Sequence, residues 1–305
     1  MKSPLGFLAA RLGSLGAWFA IAVALCFGAP NMANAQKHFE SPQEAMSAFG
    51  DAVAGGDEES LKVLLGPRFR ALIPPMGSEI RDRFLTAWGV SHTIQTVDDD
   101  HAEIAVGNDG WTLPIPLVKS AQGWHFDTLA GVEEMRLRRI GRNELAVIQT
   151  MLAIYDAQRE YAQTDHDGSG VLAYARKMSS SPGKRDGLYW PSGPDDPPSP
   201  LGAAFATAGS RQDGHAGYYG YHYKLLTSQG PHAPGGAYDY VADGKLFGGF
   251  AVIAWPVRYA DTGIKSFMVS HDGQVYERDL GPDGAAKAAA MQSFDPGPGW
   301  AKVSP

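Results

Sequence analysis

Cysteine is nearly missing from this chain: Cys26 is the only one among 305 residues. No disulfide can therefore form within the chain, and no thiolate cluster is available to hold a metal. Runs of lysine or arginine are also missing, and the formal net charge is −7. A chain of that sign without a basic stripe is a poor match to a polyanion, so nucleic acid is not expected as a partner. The nine histidines never fall as H-x-H, H-x-x-H or H-E-x-x-H, the spacings that let one element present two imidazoles to zinc. Neither a G-x-S-x-G elbow nor a solenoid-period repeat occurs. The longest apolar run, Ala17 to Phe27, is interrupted by Gly and Pro before it reaches the ~20 residues that span a bilayer.

That run is instead placed as in a secretory leader. Lys2 and Arg11 precede it and Ala33-Asn34-Ala35 follows it, a small-x-small cleavage site that would leave Gln36 first. Leu25 before Cys26 does not suit lipid anchoring, and no twin-arginine pair is present. The expected product is periplasmic or secreted, has no stable membrane anchor after cleavage after Ala35, and is more acidic by the two charges that leave with the leader. Without cysteine, its stability must come from burial, and the remaining length suffices for one or two domains.

The expected fold class is α+β in two domains, 36–130 and 143–305, with a joint at 131–142. Ser41-Pro42-Gln43-Glu44 is a helix start with a serine cap and proline at the first helical position. Gly55-Gly56-Asp57 ends that helix and caps a second one bearing Leu61, Leu64 and Leu65. A third helix is predicted over Ile80 to Trp88. The period then changes to two over His92–Val97, Ala102–Val106, Trp111–Val118 and Gly123–Phe126, which predicts four antiparallel strands. Glu133–Ile140 is a charged helical segment, and Gly141-Arg142-Asn143 is a break with Asn143 as the next cap. Leu145, Ile148, Met151, Leu152, Tyr155 and Tyr161 form the stripe of a helix packed on a sheet. A helical turn is expected over Val171–Met178, followed by a proline-rich surface loop. Strands are expected over Tyr219–Thr227, Phe250–Pro256, Ile264–Ser270 and Gln274–Arg278, with His271-Asp272-Gly273 as the last hairpin turn.

Long ordered motifs carry a family likeness: SPQEAMSAF from Ser41, WTLPIPLVKSAQGWHFDTLAGVEEM from Trp111, RRIGRNEL from Arg138, YDAQREYA from Tyr155, SPGKRDGLYWP from Ser181, QGPHAPGGAYDYV from Gln229 and GGFAVIAWPVRY from Gly248. From Phe39 to Trp300 the chain resembles the exported bacterial envelope family DUF2950. The resemblance implies fold and export and brings no catalytic residues. Helices followed by a strand meander resemble the NTF2-like cone, with a curved antiparallel sheet around a pocket, and the same order also suits a generic α+β domain. The C-terminal half, a long helix on a small antiparallel sheet, resembles the heads of type IV pilins and pseudopilins. It departs from them where a whole domain stands in place of the membrane-spanning half-helix, so assembly into a pilus is not expected.

Several groups are candidates for chemistry. Asp165, Asp167 and Ser169 stand at alternate positions before glycine like the start of an EF-hand loop, so calcium is the one cofactor considered. Arg176 occupies the position of the bidentate acid, and Asp186 would have to complete the shell; the other reading is a helix-ending turn. Ser181-Pro182-Gly183-Lys184 matches S-x-x-K, although Pro and Gly disrupt the helical turn that this pattern needs. His215, His222 and His232 flank an aromatic strand, and Asp239, Asp243 and Glu277 sit at strand ends as glycosidase carboxylates would. Arg136, Arg138, Arg139 and Arg142 form a basic cluster beside Glu133, Glu134 and Glu144, either paired internally or open to an acidic partner segment. Tyr189, Trp190, Tyr218, Tyr219 and Tyr221 are either a recognition surface or core. The expected function is a non-catalytic binding or structural module with an envelope protein or polymer as partner. The alternative is an exported hydrolase of a wall polymer or glycan, with its site in the N-terminal pocket or at the joint.

Overall fold

The computed structural model describes residues 36–193, 196–205 and 217–303. The expected leader, with the cleavage site expected after Ala35, and His215 lie outside the described residues. Gln36–Pro305 gathers as one compact unit, and its fold is α+β.

Local signals fix the first elements. Helix α1, Pro42–Gly55, is capped by Ser41, whose Oγ accepts the Glu44 amide at 3.2 Å, while Glu44 reaches back to the Glu40 amide. It ends where Gly56 takes the left-handed conformation, φ 67°, which glycine adopts without a Cβ penalty. Asp57 then caps α2, Glu58–Leu65, and Ser78 caps α3, Glu79–Val90. Strands β1 (His92–Thr96), β2 (His101–Val106), β3 (Leu117–Ser120) and β4 (Gly123–Phe126) form an antiparallel sheet in chain order. The strand expected from Trp111 shrinks to β3, preceded by a single bridge between Thr112 and Ala105. Ala102, Ile104, Val106, Leu117 and Phe126 alternate toward Phe49, Val53 and Leu61, which makes the first apolar core. Gly50 admits the closest helix contact there: a Cβ on it would lie 2.5 Å from the Trp88 ring.

The expected break at Gly141-Arg142-Asn143 does not occur. One helix, α4, runs 34 residues from Thr128 to Tyr161, is capped by Asp127 and contains the joint predicted at 131–142. Asn143 is not a cap but donates to Thr262 O at 2.8 Å. Of the expected stripe, Met151 and Tyr161 are buried, Ile148 and Leu152 pack beside them, and Leu145 is exposed; Val147, Ile154 and Gln158 complete the inward face. This stripe lies on the five-stranded antiparallel sheet ordered β14-β12-β11-β10-β5, built from β5 (Tyr221–Leu226), β10 (Ala251–Pro256), β11 (Lys265–Ser270), β12 (Val275–Asp279) and β14 (Ala301–Lys302).

Both faces of that sheet are covered. Val252, Ala254, Phe267 and Val269 point to the α4 core, and Ala251, Ile253 and Met268 point to a second core with Tyr240, Ala288 and Phe294. The second layer comprises α5 (Gly284–Ala290), the hairpin of β8 (Val241–Ala242) with β9 (Lys245–Leu246), and a small sheet in which β13 (Ser293–Phe294) lies parallel to β6 (Ser228–Gln229), itself paired with β7 (Tyr238–Asp239). These short elements escape sequence patterning because two-residue strands carry no period. The helical turn expected over Val171–Met178 is also absent: that segment is extended, and Tyr174 bridges Leu246.

One carboxylate ties α4 to the sheet. Glu144 Oε1 accepts the amides of Ile264 at 2.8 Å and Lys265 at 2.9 Å where β11 begins. Glu144→Ala is expected to cost about 1–3 kcal/mol, read as a lower urea midpoint, whereas Glu144→Gln keeps an acceptor and should recover most of it.

Candidate functional site

Two concavities of different chemistry among the described residues are candidates for a site. One is apolar, about 500 Å³, between α1, α3, the 107–116 segment and the first turns of α4. Phe84, Trp111, Leu113, Ile115 and Met135 line it, within the ~300–1,000 Å³ range of small-molecule pockets. α3 presents Arg81, Phe84, Leu85 and Trp88 along one face, so the helical period turns an arginine inward with three apolar side chains. Arg81 is 5% exposed and also lines the cavity. Its Nη2 donates to Val53 O. Among the described residues no other polar group receives it, and Asp109, the one acid lining the cavity, forms no ion pair with it. A buried cation without a counter-charge is costly, which makes this arginine the most unusual polar group of the cavity. Arg83 also lines the cavity, but its side chain is exposed and faces Glu79 at 3.8 Å.

The second concavity, about 850 Å³, is polar and lies between the end of α4, the 162–187 loop and the β8–β9 hairpin. Arg176, Lys177, Lys184, Arg185 and Lys245 line it together with Asp167 and Asp186. Most of these charges are already matched. Lys245 Nζ stands 2.9 Å from Asp167 and also contacts Ser169 Oγ. Asp165 spends its oxygens on the amides of Asp167, Gly168 and Gly170. The loop considered for calcium thus has its oxygens turned to backbone amides and to a lysine, and a cation entering it must displace that ammonium. Among the described residues no three His, Cys, Asp or Glu side chains gather as a metal would need.

Asp186 receives Lys177 Nζ at 2.7 Å and the Ser181 amide at 2.7 Å, while Lys177 Nζ lies 2.6 Å from Ser181 Oγ. The serine of the S-x-x-K pattern therefore meets Lys177 and not Lys184. Ser181 Oγ donates its own proton to Asp186 Oδ2 at 3.0 Å, so the serine proton is directed at a carboxylate that already receives Lys177 and not at a lysine base. The Lys177 and Ser181 hydrogen bonds hold Asp186 well below the usual carboxylate range, and those from Ser169 and Lys245 do the same for Asp167. Depressed carboxylates stabilise the fold above their unfolded value of ~3.9 and lose that contribution as pH falls through the lower folded value. Protection from hydrogen exchange of the Ser169 amide, which donates to Asp167 Oδ1 at 3.2 Å, and of the Ser181 amide, which donates to Asp186, is accordingly expected to fall below pH ~4, before the α4 amides are affected. Simultaneous loss along the chain would refute local anchoring.

The aromatic candidates divide. Trp190 and Tyr221 are core residues, 6% and 0% exposed, and so are not available as a recognition surface. Trp190 Nε1 donates to Pro197 O at 3.2 Å and Tyr221 Oη to Lys265 O at 2.9 Å. Burial, and then the charge of Glu144, raises the Tyr221 pKa. Tyr189 and Tyr218 are half-buried, and only Tyr219 stands out, 50% exposed. Sequence distance hides this partition, because it is set by strands and loops far along the chain.

The remaining candidates are dispersed. His222 packs near Trp255, with burial lowering its pKa, and His232 faces Asp295 at 3.1 Å. Asp239 lies in β7, Asp243 in the β8–β9 turn, and Glu277 in β12, where it faces Lys265 at 3.7 Å. Arg136 and Arg138 pair with Glu133 and Glu134, and Arg139 pairs with Asp261. Arg138 also donates to Thr112 O at 2.6 Å, which fixes α4 beside Trp111. Arg81 was not among the sequence candidates. The available signal was an arginine at the helical spacing of Phe84 and Trp88.

No curated protein and no solved structure matches the chain. The family model described as "Protein of unknown function (DUF2950)" matches residues 36–303. Through that match over nearly all of the chain beyond the leader-like segment, the protein belongs to the DUF2950 family.

Proposed function

We propose that this is an exported binding module of the bacterial envelope, and that it holds a small apolar molecule in the cavity between α1, α3 and the first turns of α4. The observation that carries the reading is the cavity itself, about 500 Å³ with walls of aromatic and aliphatic side chains. Concave apolar surface that is not filled by the chain's own side chains is the usual form of a small-molecule site. Export rests on the leader-like Met1–Ala35 segment, and the division into two modules sharing α4 rests on the separation of the first apolar core from the two that flank the large sheet. A catalytic reading is less well supported. The polar concavity gathers ionisable groups, yet its acids are occupied by lysines and backbone amides.

An uncharged naphthylamine dye tests the reading. Its fluorescence should rise on adding the protein, and octanol should displace it. Ala87→Phe, which places a ring at the cavity wall, should weaken dye binding at least about tenfold, a change worth 1.4 kcal/mol. Absence of dye binding, or equal binding by the variant, would overturn the proposal.

A further inference from the structure

We infer that the molecule held in this cavity is an apolar monocarboxylic acid whose head group pairs with Arg81; the inference rests on the cavity being a binding site. Three features of the cavity support it.

The first is the unspent capacity of the guanidinium. It has five N–H donors, and the described residues use it through Nη2 toward Val53 O. The side chain is nonetheless 5% exposed and lines the cavity, so its unused donors have little access to bulk water. A ligand offering only hydrocarbon, or only a hydroxyl, would dry the cavity around an unneutralised charge. A carboxylate neutralises it and matches the planar fork with two parallel hydrogen bonds.

The second is charge balance. Asp109 is the one acid among the lining residues, set against the buried Arg81 and the exposed Arg83, which already faces Glu79, so the wall carries one positive charge in excess for a ligand to neutralise. A single negative charge is therefore favoured over a phosphate dianion. The third is the rest of the wall: Phe84, Trp111, Leu113 and Met135 offer aromatic and thioether surface to an aliphatic or aryl body.

Titration calorimetry of the whole protein with octanoate and with octanol, which share a tail, separates the head from the body. The wild-type protein should bind octanoate at least about tenfold more tightly than octanol, the return expected from a charge-assisted hydrogen bond. Arg81→Met should lose that preference and bind octanol at least as tightly as the wild-type protein does, because no charge is left to be dried, and Arg81→Lys should retain part of the preference. In the wild-type protein the preference should also vanish below the pKa of the acid, a readout that needs no variant. Equal binding of acid and alcohol by the wild-type protein, or an acid preference that survives in Arg81→Met, would overturn the inference and leave the apolar site standing. Binding of neither probe would remove the site as well.

Discussion

Gln158→Leu is expected to destabilise the protein by about 2–5 kcal/mol and to lower its melting temperature by roughly 5–15 °C. Gln158 is fully buried on α4, where its amide acts as a short piece of strand: Nε2 donates to Ala175 O at 2.9 Å and Oε1 accepts the Ala175 amide at 2.8 Å. Ala175 is itself buried, so leucine would leave both of its backbone groups without partner or water. The cost is that of two orphaned groups, which exceeds the net value of the two hydrogen bonds. Gln158→Glu gives a sharper test. It keeps the acceptor for the Ala175 amide but loses the donor and buries a charge, which raises the folded-state pKa of the new carboxyl. A raised carboxyl pKa adds stability as pH falls, so the deficit relative to wild type should shrink in acid, where the protonated carboxyl can again donate to Ala175 O. Denaturant midpoints of both variants across pH check this, and a pH-independent deficit in Gln158→Glu would refute it.

Arg81→Met is expected to act in the opposite direction. Without ligand it should stabilise the protein by about 1–3 kcal/mol, because an uncompensated buried cation gives way to an apolar side chain of similar length. The lost hydrogen bond is minor, since Val53 O still accepts the Gly56 amide at 3.3 Å. Saturating octanoate should reverse the order of the two melting temperatures, since binding to the folded state alone raises stability by mass action. A lower melting temperature for ligand-free Arg81→Met would show that the guanidinium is already compensated, and would contradict the site. Stability conceded at a position that serves binding is a common pattern in natural proteins.

Arg81 and Gln158 also show where a sequence stops being readable. Ser41, Gly56 and Asp57 are legible because caps act over three or four residues, and the hairpin at His271-Asp272-Gly273 is legible for the same reason. The helix faces are legible only where they are apolar. The stripe traced from Leu145 to Tyr161 is right at Met151 and Tyr161 and wrong at Leu145, and it passes over Thr150 and Gln158, two inward positions on α4 that are polar. The inward arginine of α3 is passed over in the same way. Gly141 suggests a break because glycine costs a helix interior ~1 kcal/mol. Distant partners offset that cost: Thr112 for Arg138, Asp261 for Arg139 and Thr262 for Asn143. Trp190 and Tyr221 are as aromatic as Tyr219, and only the tertiary structure tells covered rings from the exposed one.

The uninterrupted course of α4 has a mechanical meaning. With a rise of 1.5 Å per residue it is a rod of about 50 Å, with Met135 in the wall of the apolar cavity at one end and Tyr161 beside the polar concavity at the other. A rod held by Arg138 and Glu144 along its length cannot bend at 131–142 without giving up helical hydrogen bonds. Displacement of its first turns is therefore carried as tilt or translation to the sheet on which its last turns rest.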